Sequence, residues 1–344
     1  MGTSITIRNR GLSWLIAKKT LVVIISLIIL DLILGIISTG IGSTFIHPID
    51  VLKVLFGGGD SSHQMIVEKL RLPRIVTAIL VGASLGVAGG ILQGIVRNPL
   101  TSPELVGITG GATLGAVCFI LFLAGSVSIA WMPLSAILGA VIISLLVYIL
   151  AWRNGVTPMR LVLIGIGIST ALGALTYMII LMGPLALQAR SLIFMTGSVY
   201  GVSWTKDVLV LLPWVGILIP ASFIVARHLN VQELGDDIAT SVGSSVQRKR
   251  LLLLVTSVAL AGAAVAIGGA IGFIGLMAPH IARKLVGPAF GGVLPVSALI
   301  GAFILMISDL IARTAFSPLD IPAGVFTAAI GAPFFLYLLY RQQK

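Results

Sequence analysis

The sequence predicts an all-α polytopic membrane protein of about ten transmembrane helices, and three observations carry that reading. Of 344 residues, 58% are hydrophobic and only 10% are charged, against roughly 25% charged in soluble domains. Too little polar cover remains for a water-facing surface, and mean hydropathy is +1.13. The apolar residues also come in runs, such as 21–37, 75–96 and 251–270. At about 20 residues each can cross the roughly 30 Å hydrocarbon core as a helix, the conformation that satisfies its own backbone there. Forty glycines fit the same class, because small residues let membrane helices approach closely.

The elements follow in chain order. Arg8, Arg10, Lys18 and Lys19 precede a run too long for a signal-peptide core and lacking a clean small-x-small cleavage site. The expected first span, 20–38, is therefore retained. The segment 40–70 connects it to the next span and contains, at 47–56, a short amphipathic helix. Further spans are expected at 74–95, 107–124, 131–152, 160–182, 208–227, 250–269, 273–286, 292–313 and 322–340. Those at 107–124 and 273–286 are the weakest, being glycine-rich and entered through proline-containing stretches. Between 230 and 250 the apolar positions Val231, Leu234, Ile238 and Val242 recur at helical spacing, and Gly235 and Gly243 interrupt them. That reads as a pair of short surface helices, either a docking knob or an ordered turn.

Lysine and arginine placement gives the orientation. With the N-terminus inside, the inner set is Arg8, Arg10, Lys18, Lys19, Arg97, Arg153, Arg160, Arg227, Arg248, Lys249, Arg250, Arg283, Lys284, Arg341 and Lys344. The outer set is Lys53, Lys69, Arg71, Arg74, Arg190, Lys206 and Arg313. Fifteen against seven puts both termini on the cytoplasmic side. The net charge of +11 thus belongs to topology, since no aromatic-interleaved basic patch points to nucleic acid. Gly82, Ala83, Gly89, Ile91 and Pro99 match Gly262, Ala263, Gly269, Ile271 and Pro279 at a constant offset. The two stretches fall in spans two and seven, of opposite direction, as in an inverted repeat of five helices plus five.

Chemistry is sparse. His47, His63, His228 and His280 are scattered, Cys118 stands alone in an apolar run, and no phosphate loop, metal-ligand pair or nucleophile elbow occurs. Within the expected spans the acids are Asp31 and Asp309, the latter four residues before Arg313 and so placed to pair with it. One unassigned carboxylate, Asp31, is thin support for an ion-coupled cycle. A transporter driven by a partner is the first reading, and an ion-coupled secondary transporter the alternative. Arg71 and Arg74 bracket Pro73, and Arg313 ends span nine. Either they reach lipid headgroups, or they form an outward cluster that grips carboxylates of a docking protein.

Motifs along nearly the whole chain resemble the FecCD-type permeases of ABC importers for iron–siderophore, haem and cobalamin. They are Arg71-Leu-Pro-Arg74, Arg97-Asn-Pro-Leu-Thr-Ser-Pro103, the inner loop 229–243, Gly272-Phe-Ile-Gly-Leu-Met-Ala-Pro-His-Ile-Ala-Arg283, Ile321-Pro-Ala-Gly324 and Gly331-Ala-Pro-Phe-Phe335. The resemblance implies a single permease domain over 1–344 with the type II ABC importer architecture, in a bacterial cytoplasmic membrane. It implies an iron–siderophore complex as cargo, with haem or cobalamin as the alternative. It also implies a second permease subunit, identical or paralogous, two cytoplasmic ATPase subunits and an extracytoplasmic binding protein. No covalent cofactor is expected, ATP being used by the partner subunit. The resemblance assigns Arg71, Arg74 and Arg313 to binding-protein docking. Asn230, Glu233, Leu234, Gly235, Asp236, Asp237, Ala239, Ser241 and Gly243 fall on its coupling helices, within 230–250. Thr157, Pro158 and Met159 fall on its gate, and Gly165, Ser169, Gly173 and Thr176 on its pathway, with Gly167 and Thr170 beside them. Proline at 158, where relatives also carry small hydroxyl residues, makes the gate a region rather than a set of contacts.

Overall fold

The computed structural model describes residues 4–9, 12–123, 126–153 and 155–342, with backbone alone for 4–9, 12–16 and 342. Arg10 and Lys344 of the inner basic set, and the last residue of the expected span 107–124, lie outside the described residues. The chain opens with a two-stranded antiparallel hairpin, β1 (Ser4–Asn9) and β2 (Leu12–Ala17), in which Ser4 faces Ala17 and Asn9 faces Leu12. Helices follow: α1 (Lys18–Gly40), α2 (Pro48–Leu55), and α3 (Ser61–Gln64), which passes through a π-helical turn, Met65–Arg71, into α4 (Leu72–Val96). Then come α5 (Ile108–Cys118), prolonged by a π-turn at Phe119–Leu123, α6 (Met132–Ala151), α7 (Pro158–Met182) and α8 (Leu185–Thr196). The rest are α9 (Leu209–Glu233), α10 (Asp236–Ser241), α11 (Val246–Gly268), α12 (Ile274–Val286), α13 (Phe290–Thr314) and α14 (Ala323–Gln342).

Each of the ten expected spans falls on a helix. Among the described residues, eight helical segments are long and apolar enough to cross a membrane, and α5 and α12 are the short ones. Three differences have physical causes. The hairpin was not expected, although Ser4-Ile-Thr-Ile alternates polar and apolar residues as a strand does. Helix α8, which carries Gln188 and Arg190, is apolar but at 12 residues too short to register as a span. The pair of short helices expected within 230–250 is one helix, α10, because α9 runs on to Glu233 and α11 already begins at Val246.

Helices α4 and α11, the two expected repeat partners, form the centre: 89% and 78% of their apolar stretches are buried. They run antiparallel, since Gly268 sits beside Val81 while the Ser257 hydroxyl donates to the Ala88 carbonyl at 3.0 Å. Glycines at every fourth position, Gly82, Gly86, Gly90 and Gly94, turn one face of α4 to α13. A methyl group on Gly82 would lie 2.3 Å from the Gly301 carbonyl oxygen, and one on Gly89 would lie 1.8 Å from that of Gly275. Backbone-to-backbone packing of this kind is how membrane helices gain contact without a hydrophobic driving force between them. Helices α5 and α6 repeat the device, with Gly111 against Gly139 and Gly115 against Ser135. Around this centre α1, α6, α7, α9 and α14 leave most of their apolar surface uncovered.

Candidate functional site

Arg74 and Arg97 bracket α4, so its two ends lie roughly 35 Å apart at about 1.5 Å per residue. Each end carries a charged cluster.

At the Arg74 end the three expected docking arginines are brought together, with their side chains turned inward. Arg74 donates through Nε and Nη2 to Asp309 at 2.8–3.0 Å, and through Nη1 and Nη2 to Asp320 at 2.7 and 2.8 Å. Its guanidinium also lies 5.5 Å from the Tyr200 ring centre. Arg71 is buried and gives its donors to the carbonyls of Thr39 (2.7 Å), Gly40 (3.1 Å) and Thr44 (2.5 Å), closing the turn after α1. Arg313 donates to the Ser38 carbonyl and hydroxyl. Its expected partner Asp309 stands farther off, at 3.7 Å, and is held chiefly by Arg74. The cluster thus ties α1, α4, α13 and the approach to α14 into one layer. The segment 40–70 is ordered in the same layer: the His47 ring caps α2 by accepting from the Ile49 N–H at 3.4 Å.

At the Arg97 end, α10 projects from the bundle. Leu234, Ile238 and Val242 are 59%, 53% and 65% exposed, an apolar surface made by one residue of this six-residue helix and the two that flank it. Glu233, Asp237 and Ser241 are exposed beside it, while Ala239 is buried and anchors it. Gly235 and Gly243, with φ of +107° and +79°, make the turns at its two ends. Asn230 accepts from the Phe290 N–H at 2.9 Å and so fixes the end of α9 to the start of α13. Asp236 is ion-paired with both Arg97 and Arg250. Burial alone would raise its carboxyl pKa, but the hydrogen bonds and charges of Arg250, then Arg97, outweigh it and hold the group below its ordinary range. Arg97 ends α4 with φ of +55°, a conformation usually left to glycine, and its side chain crosses to Asp236.

At the same end, Thr157 occupies the N-cap position of α7, Pro158 is its first residue and Met159 is 67% exposed. The expected pathway residues divide between two faces. Gly165, Ser169 and Thr176 lie on the packed face: Gly165 abuts the Leu105 carbonyl, the Ser169 hydroxyl donates to the Glu104 carbonyl at 2.9 Å, and Thr176 is buried. A methyl group on Gly167 or Gly173 would meet nothing within 4 Å among the described residues, and Thr170 is exposed. They share their face with exposed Leu163, Ile166, Tyr177 and Met178.

Sequence reading missed two residues. Glu104, in the loop before α5, accepts from the Phe273 N–H at 3.1 Å and so joins the two broken-helix regions; its loop position hid it from a search of spans. Arg250, counted only as a topology charge, is 1% exposed on its side chain. Asp31 is buried in α1, and neither carboxylate oxygen has a hydrogen-bond partner among the described residues.

The FecCD transport family model matches residues 28–341. The "Probable siderophore transport system permease protein YfhA" of Bacillus subtilis is 46% identical over 332 residues, covering 95% of this chain and 96% of that protein. The achromobactin transport system permease protein CbrC of Dickeya dadantii is 46% identical, covering 92% and 90%. The iron(3+)-hydroxamate import system permease protein FhuG of B. subtilis is 40% identical, covering 94% and 98%. A solved structure described as a metal-chelate type ABC transporter, inward-facing, superposes with a TM-score of 0.83 at 30% identity, covering 93% of this chain and 99% of that one.

Proposed function

Because the chain belongs to the FecCD transport family, we propose that it is the membrane permease of an ATP-driven importer for an iron–siderophore complex. The whole chain forms one transmembrane permease domain in a bacterial cytoplasmic membrane, with both termini inside. ATP hydrolysis belongs to two separate cytoplasmic ATPase subunits, and a second permease subunit, identical or paralogous, completes the path. The observation that carries this reading is α10. An exposed apolar triplet is made by Ile238 on this short helix and by Leu234 and Val242 at its two ends, and Asp236 holds the helix to the bundle. Lipid does not reach beyond the spans to cover it, and a groove on a soluble partner does. The relatives named for siderophore and hydroxamate import support the cargo class.

The opposite end faces outward and receives the binding protein. Arg74 meets the partner's carboxylates by exchanging internal acceptors, Asp309 and Asp320, as Arg71 exchanges the carbonyls of the turn after α1, and Arg313 joins them at the same end. The open face of α7, with Gly167, Thr170 and Gly173, lines the path against the second permease subunit. Thr157, Pro158 and Met159 form the inner gate, while Gly165, Ser169 and Thr176 hold α7 in place behind it.

The test is retention of the ATPase. Co-expressed with its partners, the chain carrying Leu234→Glu and Ile238→Glu inserts and folds as before, since both side chains are exposed, but no longer co-purifies with the ATPase subunits. Full retention of the ATPase by this variant sinks the assignment of α10.

A further inference from the structure

Asp236 leads, through one arginine, to the start of α7. Arg250, one turn into α11, forks between two elements. Its Nη2 donates to both oxygens of Asp236 at 2.9 Å, and its Nη1 donates to the backbone carbonyl of Val156. Val156 closes the tight turn from α6 to α7 by bridging to Trp152, and its N–H donates to the Gln247 side chain at 3.3 Å. Gln247 and Arg250 are three residues apart on the first turn of α11 and so share a face. That turn grips both backbone groups of Val156, with Asp236 held on the other side. Thr157 and Pro158 follow Val156 directly and open α7.

The guanidinium is buried and its carboxylate partner is not, with side-chain exposures of 1% and 40%. Giving up Asp236 would leave a buried charge unpaired, and giving up the Val156 carbonyl would leave a buried donor unsatisfied. The planar fork is also specific to arginine: an ammonium is a point donor and cannot hold a carboxylate edge and a carbonyl in fixed directions together. Arg97 holds the same carboxylate from α4, giving α10 a second anchor that does not reach the turn.

We propose that Arg250 is a positioning residue that links α10 rigidly to the turn at Val156, so that displacement of α10 moves the start of α7. This rests on the reading of α10 as the ATPase seat. The link has two elements at its ends and one side chain between them. Movement of the seat therefore reaches the gate region without a flexible intermediate.

The experiment uses the complete transporter in lipid nanodiscs and proteoliposomes, with Arg250→Lys and Asp236→Asn made separately and together. Three quantities are read: ATPase retention, cargo moved per ATP hydrolysed, and the distance distribution between spin labels at Arg153 and Thr240. In the unmodified chain that distribution stays narrow through the nucleotide cycle. Arg250→Lys keeps the ATPase bound, broadens the distribution, and lowers cargo moved per ATP by about tenfold. Asp236→Asn, which also releases Arg97, lowers the ratio at least as far per bound ATPase, and the double variant is no worse than Asp236→Asn alone, because the Arg250 link is already broken there. An unchanged ratio in either single variant, with the ATPase bound, overturns the relay alone, and Asp236→Asn decides it should Arg250→Lys fail to accumulate. Failure of the unmodified chain to bind the ATPase overturns the seat, and the relay with it.

Discussion

Arg74 has three polar neighbours at one buried position: Asp309, Asp320 and the Tyr200 ring. Replacing it with methionine leaves the Asp309 carboxylate, 2% exposed on its side chain, without its main partner. Loss of one member of such a pair costs about 3–5 kcal/mol. Arg74→Met therefore lowers the thermal transition in detergent markedly, and Arg74→Met with Asp309→Asn recovers most of the loss. A double variant no more stable than the single one would contradict that. At the other end, Asp236 makes a pH prediction. Its carboxyl lies below the ordinary range, so its contribution is complete above about pH 3.9 and is lost as pH falls through the lower folded value. A spin label at Thr240 stays immobilised at pH 5 and loosens only below about pH 4. Loosening between pH 5 and 6 would be inconsistent with the ion pairs described. The residues were legible in sequence, but their partners were not. Asp309 and Asp320 lie 235 and 246 positions from Arg74, and nothing in the local pattern turns the arginine inward.

The helices were the most legible elements, because hydrophobic length alone sets them. What failed was short or mixed in character: the N-terminal hairpin, α8, and the division of 230–250. The glycines of α4 were expected to permit close packing, but the sequence does not say against which helix. The structure pairs Gly82 with Gly301 and Gly89 with Gly275. At 1.8 Å from a carbonyl oxygen, a methyl group on Gly89 must push two backbones apart. Gly89→Ala is expected to destabilise the chain by about 1–3 kcal/mol, whereas Gly167→Ala, which meets nothing within 4 Å, leaves the melting temperature unchanged. Equal effects at the two positions in a thermal melt would contradict this packing.

For the whole molecule, two charged ends and an uncovered apolar flank divide the labour. The arginine layer fixes one end, α10 projects from the other, and α7 presents its small residues to the side. On the proposed reading, transport by this chain draws its energy from an ATPase seated on α10. The most direct measurement is uptake of a ferric siderophore into proteoliposomes containing this chain, its partner permease and the binding protein, with and without the ATPase subunits. The prediction is uptake only when the ATPase and ATP are on the α10 side, unaffected by collapsing proton and sodium gradients. Uptake without the ATPase, abolished when those gradients are collapsed, would contradict it and make the chain an ion-coupled carrier.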